Sequence, residues 1–146
     1  MEHTFIDKEL VFGVMSGRAS SAINRKIYKR FNAEGFSITP EQWMVLQYLS
    51  LKDGISQKQL SEITFKDKTG ITRMLDILER NKLIGRQLDP KDKRTNRVFL
   101  TAAGFELHNR AKQMVLEVMQ SAVKGLSEEE IRMGERLLRR VFLNLE

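Results

Sequence analysis

The chain contains no cysteine. That removes disulfide bridges, thiolate metal sites and thiol redox sensing together, and it fits a reducing compartment. Only two histidines are present, His3 and His108, so a transition-metal cage would need mostly carboxylates and no metal is expected. No run of about 18 apolar residues occurs, which excludes a membrane-spanning helix. The opening stretch MEHTFIDKEL lacks a basic segment followed by an apolar one. A secretory signal is therefore not expected, and the cytoplasm is the expected location. A Gly-rich phosphate loop, a recognisable histidine–carboxylate frame and metal-ligand spacing are also missing. Neither catalysis nor a cofactor is expected.

What the chain does have is positive charge. Its 146 residues, enough for one domain or two very small ones, carry a net +6 with a pI near 9.7. Such a balance points to a polyanionic partner. Between Lys66 and Arg97 stand ten Lys or Arg against five Asp or Glu, so this segment alone carries +5. A solvated face is the bland reading of any charge run, but it does not account for how these charges are arranged.

Helix starts share one grammar. Thr39-Pro40-Glu41-Gln42 offers a capping Thr, a Pro in the first turn and Gln at the third helical position, with Ile38 and Trp43 placed as a hydrophobic staple. Ser56-Gln57-Lys58-Gln59 repeats it between Ile55 and Leu60, and Ser127-Glu128-Glu129-Glu130 between Leu126 and Ile131. Thr101 caps a fourth start between Leu100 and Phe105, although Gly104 stands where the box wants Glu. Gly35, Gly54 and Gly125 follow apolar-periodic stretches, where a left-handed stop is needed. Helices are predicted over 5–33, 40–52, 56–63, 67–81, 102–123 and 128–144. The strand candidates are Ile84–Leu88 and Val98–Leu100, giving a mainly α chain with a small β-hairpin.

The end helices are long and amphipathic, with Phe5, Leu10, Val11 and Val14 at one terminus and Ile131, Leu137, Leu138, Val141, Phe142 and Leu145 at the other. A second copy in a two-fold dimer would bury such faces; packing within one chain is the alternative.

The centre carries the chemistry. In FKDKTGITRMLDILERNKL, Asp67 is a plausible cap, and Ile71, Met74, Leu75 and Leu78 fall on one stripe. The opposite face holds Lys68, Thr69, Thr72, Arg73 and Asp76, with Lys66 just upstream. Amines, hydroxyls and a guanidinium at a helix start are the groups that meet phosphates and base edges when a recognition helix enters a major groove. Gly70 costs about 1 kcal/mol against Ala within that helix. Close packing against a neighbouring helix and close approach to a sugar-phosphate backbone both explain it. With Ser56–Ile63 before it and Pro40–Leu51 beneath, this helix completes a tri-helical helix-turn-helix unit.

The hairpin then adds a basic tip, LDPKDKRTNRVFLTAAG. Lys91, Lys93, Arg94 and Arg97 lie within seven residues. Three helices followed by a two-stranded ribbon make a winged helix. A guanidinium at the ribbon tip, Arg94, suits a minor groove of concentrated negative potential, while Lys91, Lys93 and Arg97 suit phosphates. Asp92 either orients Arg94 through a charge-assisted bond or forms the turn.

Asp89-Pro90-Lys91-Asp92-Lys93-Arg94, with Leu100-Thr101 and Gly104, resembles the wing signature of the MarR family of bacterial transcriptional regulators. TPEQWMVLQYLS, SQKQLSEI and TRMLDILERNKLIGR are similar to that family's supporting, first and recognition helices, in order. Lys93 stands where many members carry a second Arg, a departure that should weaken one contact. The resemblance implies a homodimer of single MarR-type domains spanning 1–146. Residues 38–100 would be the winged-helix DNA-binding part; 1–35 and 102–146 would be the helical dimerisation part. It implies a regulator of double-stranded DNA, most simply a repressor, on a pseudo-palindromic operator. It also implies a frequent small-molecule effector pocket between the two parts, whose ligand releases DNA by population shift. The alternative is a winged-helix module that binds a protein and no longer reads DNA.

Other residues invite readings that packing covers. The methionines and phenylalanines are expected in the core, Trp43 at its staple, and His108 as a satisfied structural histidine. The series Arg18, Arg25, Lys26, Lys29 and Arg30 reads as a solvated face, or as a surface near DNA or an anionic effector.

Overall fold

The structure is a computed structural model that describes residues 7–64 and 66–146. In chain order the elements are α1 (Lys8–Ala33), α2 (Pro40–Leu51), β1 (Ile55–Ser56), α3 (Gln57–Thr64), α4 (Lys68–Arg80), β2 (Ile84–Leu88), β3 (Asn96–Leu100), α5 (Ala102–Ala122) and α6 (Glu128–Leu145). Every helix expected from the sequence is present, with ends displaced by at most one residue except at the first helix, which starts at Lys8 rather than at residue 5. Phe5, at the expected start of the first helix, lies outside the described residues.

The caps explain why the helices begin where they do. Thr39 Oγ1 accepts from Gln42 N at 3.1 Å, and Gln42 Oε1 accepts from Thr39 N at 3.0 Å. Ser127 and Glu130 make the same reciprocal pair at 3.1 and 2.9 Å. Each box satisfies two backbone donors that a helix start leaves open, and losing such a cap costs about 1 kcal/mol. Gly35, Gly54 and Gly125 end their helices at φ of 80°, 76° and 88°, a region closed to most side chains.

Ser56 departs from the expected pattern. It caps α3, its Oγ accepting from Gln59 N at 3.1 Å, yet it also belongs to β1 and pairs with Arg97. The sheet therefore has three antiparallel strands in the order β1-β3-β2, one more than the expected hairpin. Its register runs Ile84↔Leu100 to Leu88↔Asn96 on one side and Ile55↔Val98 on the other. β3 also starts two residues before the expected Val98, at Asn96. A two-residue strand is too short to show alternation, and the capping signature masked it.

One apolar core joins the parts. Leu46, Leu49, Leu60, Ile71, Leu75, Leu78 and Val98 are completely buried where α2, α3, α4 and β3 meet. The core continues through Ile27 and Phe31 of α1 to Ala111, Val115 and Val118 of α5. Each fully buried Leu or Ile contributes about 1.5–3 kcal/mol. Between them, Trp43 and His108 stack at 5.3 Å and 11°, and Trp43 Nε1 donates to His108 O at 3.3 Å. His108 Nε2 meets Gln47 Oε1 at 2.5 Å. Because an amide oxygen only accepts, the ring donates from Nε2. The histidine is buried in the core but not fully satisfied, its Nδ1 having no hydrogen-bond partner among the described residues. Burial pushes its pKa below the usual 6.5, with Lys112 acting in the same direction.

Gly104 marks a close approach. A Cβ there would stand 2.0 Å from Leu83 O, so α5 can start against the turn before β2 only because no side chain intervenes. Thr101 fixes that docking: its N donates to Leu83 O at 3.1 Å, and its Oγ1 donates to Lys82 O at 2.7 Å. Helix α6 differs from the rest. None of its described residues is buried, and Ile131, Leu137, Leu138 and Val141 stay exposed along it.

Candidate nucleic-acid interface

The turn from α3 into α4 is built by short-range polar contacts. Ser61 Oγ donates to Lys66 O at 2.6 Å, and Lys66 N returns to Ser61 O at 3.2 Å. Asp67 then caps α4, its Oδ1 accepting from Gly70 N at 2.7 Å. A Cβ at Gly70 would lie 2.8 Å from the same oxygen, the end of an exposed side chain that can give way. The other atoms nearest to it are local, on Asp67 and Lys66, so packing against a neighbouring helix does not account for the glycine.

From this start α4 shows the expected division. Ile71, Leu75 and Leu78 are buried and Met74 packs partly beneath them, while Lys68, Thr69 and Arg73 are exposed. Thr72 is different: it is half-buried and tied down twice. Its hydroxyl donates to Lys68 O at 2.7 Å and accepts from Gln57 Nε2 of α3 at 2.7 Å. The far end of that amide, Gln57 Oε1, is buried without a hydrogen-bond partner among the described residues. Leaving such an acceptor unmade costs about 1–3 kcal/mol.

The wing is held at its base and open at its tip. Arg86 of β2 reaches Asp76 at 2.6 Å and Glu79 at 3.0 Å on α4. The Arg86 hydrogen bond and charge hold the Glu79 carboxyl below its usual range. Arg97 of β3 donates from Nε to Asp89 Oδ2 at 2.8 Å and from Nη1 to Gly54 O at 2.9 Å. At the tip, Asp89 Oδ1 accepts from Lys91 N at 2.8 Å, and Asp92 Oδ1 from Arg94 N at 3.1 Å. These backbone amides are the main reason both carboxyls sit below their usual range, with Arg97 and Arg94 adding to it. Asp92 thus does both things weighed for it. It first shapes the turn, and it also accepts from Arg94 Nε at 3.3 Å. Arg94 stays 92% exposed at the side chain, so this contact leaves the guanidinium free to reach outward.

Together α3, α4 and the wing enclose an open groove of about 430 Å³. Gln57, Lys58 and Ser61 line it from α3, Lys68 from α4, and Arg94 and Asn96 from the wing. Three cations around one open groove, with Lys91 and Lys93 exposed beside it, favour a polyanion there. Among the described residues, Lys58, Lys68, Arg73, Lys91 and Lys93 make no ion pair. Two expected members sit elsewhere: Lys66 is bound to Glu41 at 2.9 Å, and Arg97 is committed within the wing. Sequence reading passed over Gln57, Lys58 and Asn96. The first two lay in the first helix of the helix-turn-helix, where only the capping pattern was assigned to side chains, although Lys58 and Ser61 stand one turn apart.

The remaining basic series runs along α1. Arg30 pairs with Glu117 of α5 at 2.8 Å, and Arg18 and Arg25 flank a shallow depression with Gly13 and Gly17. None of the five lines the groove between α3, α4 and the wing.

Comparison with known proteins agrees with this arrangement. The MarR family model matches residues 36–95. The transcriptional regulator HosA of Escherichia coli O111:H- is 31% identical over 112 residues, covering 77% of this chain and 83% of HosA. The chain belongs to the MarR family. Another MarR-type relative, the HTH-type transcriptional regulator MhqR of Bacillus subtilis, is 28% identical over 138 residues and 94% of each chain. Among solved structures, a mutant MarR from E. coli complexed with operator DNA superposes with a TM-score of 0.83 at 25% identity. That match covers 95% of this chain and 99% of the other. The mainly helical winged fold expected from the sequence is thus the fold of the MarR family. Among the described residues, no cluster of His, Asp or Glu could hold a metal ion, and no helix is long and apolar enough to cross a membrane.

Proposed function

We propose that this chain is a homodimeric regulator of transcription that binds double-stranded operator DNA, most simply as a repressor. The observation that carries the reading is the shared groove. The polar start of α4 and the cationic wing open onto one channel, buttressed from behind by Arg86 and Arg97. Lys68, Thr69, Thr72 and Arg73 would enter a major groove. Arg94 would reach the neighbouring minor groove, with Lys91 and Lys93 on phosphates. Asp92 shapes the tip, Arg97 braces it, and Lys66 closes the turn before α4. That a relative of similar fold has been solved on operator DNA supports the assignment.

Residues 38–100 are the DNA-binding part of this proposal, and 1–35 with 102–146 the dimerisation part. The support for the second is α6, where Ile131, Leu137, Leu138 and Val141 remain exposed in the single chain. Two-fold pairing would cover them and set two recognition helices on one face of a duplex. An effector would act at the junction of the parts. There Ile27, Trp43, Met44, Val115 and Met119 line a cavity of about 250 Å³. A ligand favouring one spacing of the helices shifts the population between binding and non-binding states. The cytoplasm is the compartment this function implies, and regulation without catalysis is the activity.

Selection of bound sequences from a random duplex pool tests the reading. A recovered site with two inverted half-sites is expected. Recovery of no preferred duplex at moderate ionic strength would overturn it in favour of a protein-binding module.

A further inference from the structure

We infer that Thr72 reads a thymine methyl group rather than a hydrogen-bonding base edge, and that Gln57 is the positioning residue that makes it do so. The inference rests on the DNA-binding reading above and deepens it.

A threonine side chain offers a hydroxyl and a methyl. The hydroxyl has one proton and two lone pairs. At Thr72 the proton goes to Lys68 O, at 2.7 Å, one turn back along α4. One lone pair accepts from Gln57 Nε2, also at 2.7 Å. With the proton on Lys68 O, the group facing the hydroxyl from α3 is the donating end of the amide. Gln57 Oε1 is then turned into the elbow between the helices, where it is buried and unpartnered. Among the described residues the amide's side-chain contact is thus the one its nitrogen makes to Thr72. Thr72 can donate to nothing on a duplex. Guanine N7 and O6, adenine N7 and thymine O4 are all acceptors and are closed to it. The second lone pair could meet only an adenine N6 or cytosine N4 amino group. The other group this half-buried residue offers is its methyl, and the apolar feature of a major groove is the C5-methyl of thymine.

The test uses the selected operator with each thymine replaced in turn by deoxyuridine, which deletes only that methyl. For the parent chain, one position in each half-site should lose about fourfold in affinity. That factor is about 0.8 kcal/mol for one buried methyl, converted at 1.4 kcal/mol per tenfold. Thr72→Val keeps the methyl and should keep the fourfold ratio. Thr72→Ser keeps the hydroxyl and should bring the ratio to about one. Gln57→Leu frees the hydroxyl to turn, and the ratio should fall below about twofold. A general loss of fold or affinity would move thymine and deoxyuridine operators equally and leave the ratio intact. The inference is overturned if no position discriminates, if Thr72→Ser retains the ratio, if Thr72→Val loses it, or if Gln57→Leu leaves it at fourfold. Failure of the parent to select any duplex would instead remove the DNA-binding reading itself.

Discussion

Arg97 joins two distant turns through one guanidinium: Nε donates to Asp89 Oδ2 at 2.8 Å in the wing, and Nη1 donates to Gly54 O at 2.9 Å before β1. The ribbon is thereby anchored to the body on the side where β1 pairs with β3. A basic residue in a cationic loop here acts as a brace. Arg97→Ala should lower stability by about 1 kcal/mol, a modest figure because the ion pair is partly solvated. For a chain of this size that is roughly 2–4 °C in a thermal melt. The salt dependence of DNA binding should keep its slope, since the guanidinium is not free to displace counterions.

Lys91 and Arg94 should behave differently from Arg97 and from each other. Lys91→Ala is expected to weaken all duplexes about equally and reduce the salt slope by about one. Arg94→Ala should cost roughly 1–3 kcal/mol of operator affinity with the melting temperature unchanged. Titrations of labelled duplex at several salt concentrations, beside a thermal melt, separate the three roles.

Gly104→Ala is the sharpest packing test. The added methyl would overlap Leu83 O, which lies 2.0 Å from the position it must occupy. Backbone on both sides resists movement, so a destabilisation of roughly 2–3 kcal/mol is expected, as for overpacked cores. Urea unfolding measures it. A midpoint equal to the parent's would show that α5 does not dock on that turn.

How much of this could be read from residues alone depends on the range of the interaction. The caps at Thr39, Asp67, Thr101 and Ser127 were legible, because each is a contact between residues three apart. The stripe Ile71, Leu75, Leu78 was legible for the same reason. The end of α4 was not marked by glycine; Lys82 takes the left-handed turn at φ 61° itself. Strand β1 was hidden beneath a capping signature. At the site, the composition of the wing was plain, but its division of labour was not. Arg97 and Lys66 look like phosphate ligands until their partners Asp89, Gly54 and Glu41, far away or across a turn, are seen beside them. Gln57 was invisible because its contact with Thr72 joins two helices across fifteen residues of chain.

His108 predicts a pH response. Its folded pKa lies below the ordinary 6.5 of a free imidazole, chiefly through burial. Above pH 6.5 the ring is neutral in both states and contributes no pH dependence. Below it the unfolded chain takes up the proton first, so stability falls as the pH drops from 6.5 toward the folded value. His108→Gln should flatten this fall. Denaturant midpoints of both proteins between pH 7.5 and about pH 5, the window of histidine titration, check it; parallel curves would assign the response elsewhere.

The central claim is that two copies present their grooves together to one duplex. Light scattering of the purified chain with its selected operator measures this as a mass. A complex of two chains and one duplex that dissociates as salt is raised is expected. A one-to-one complex, or no complex at low salt, would contradict it.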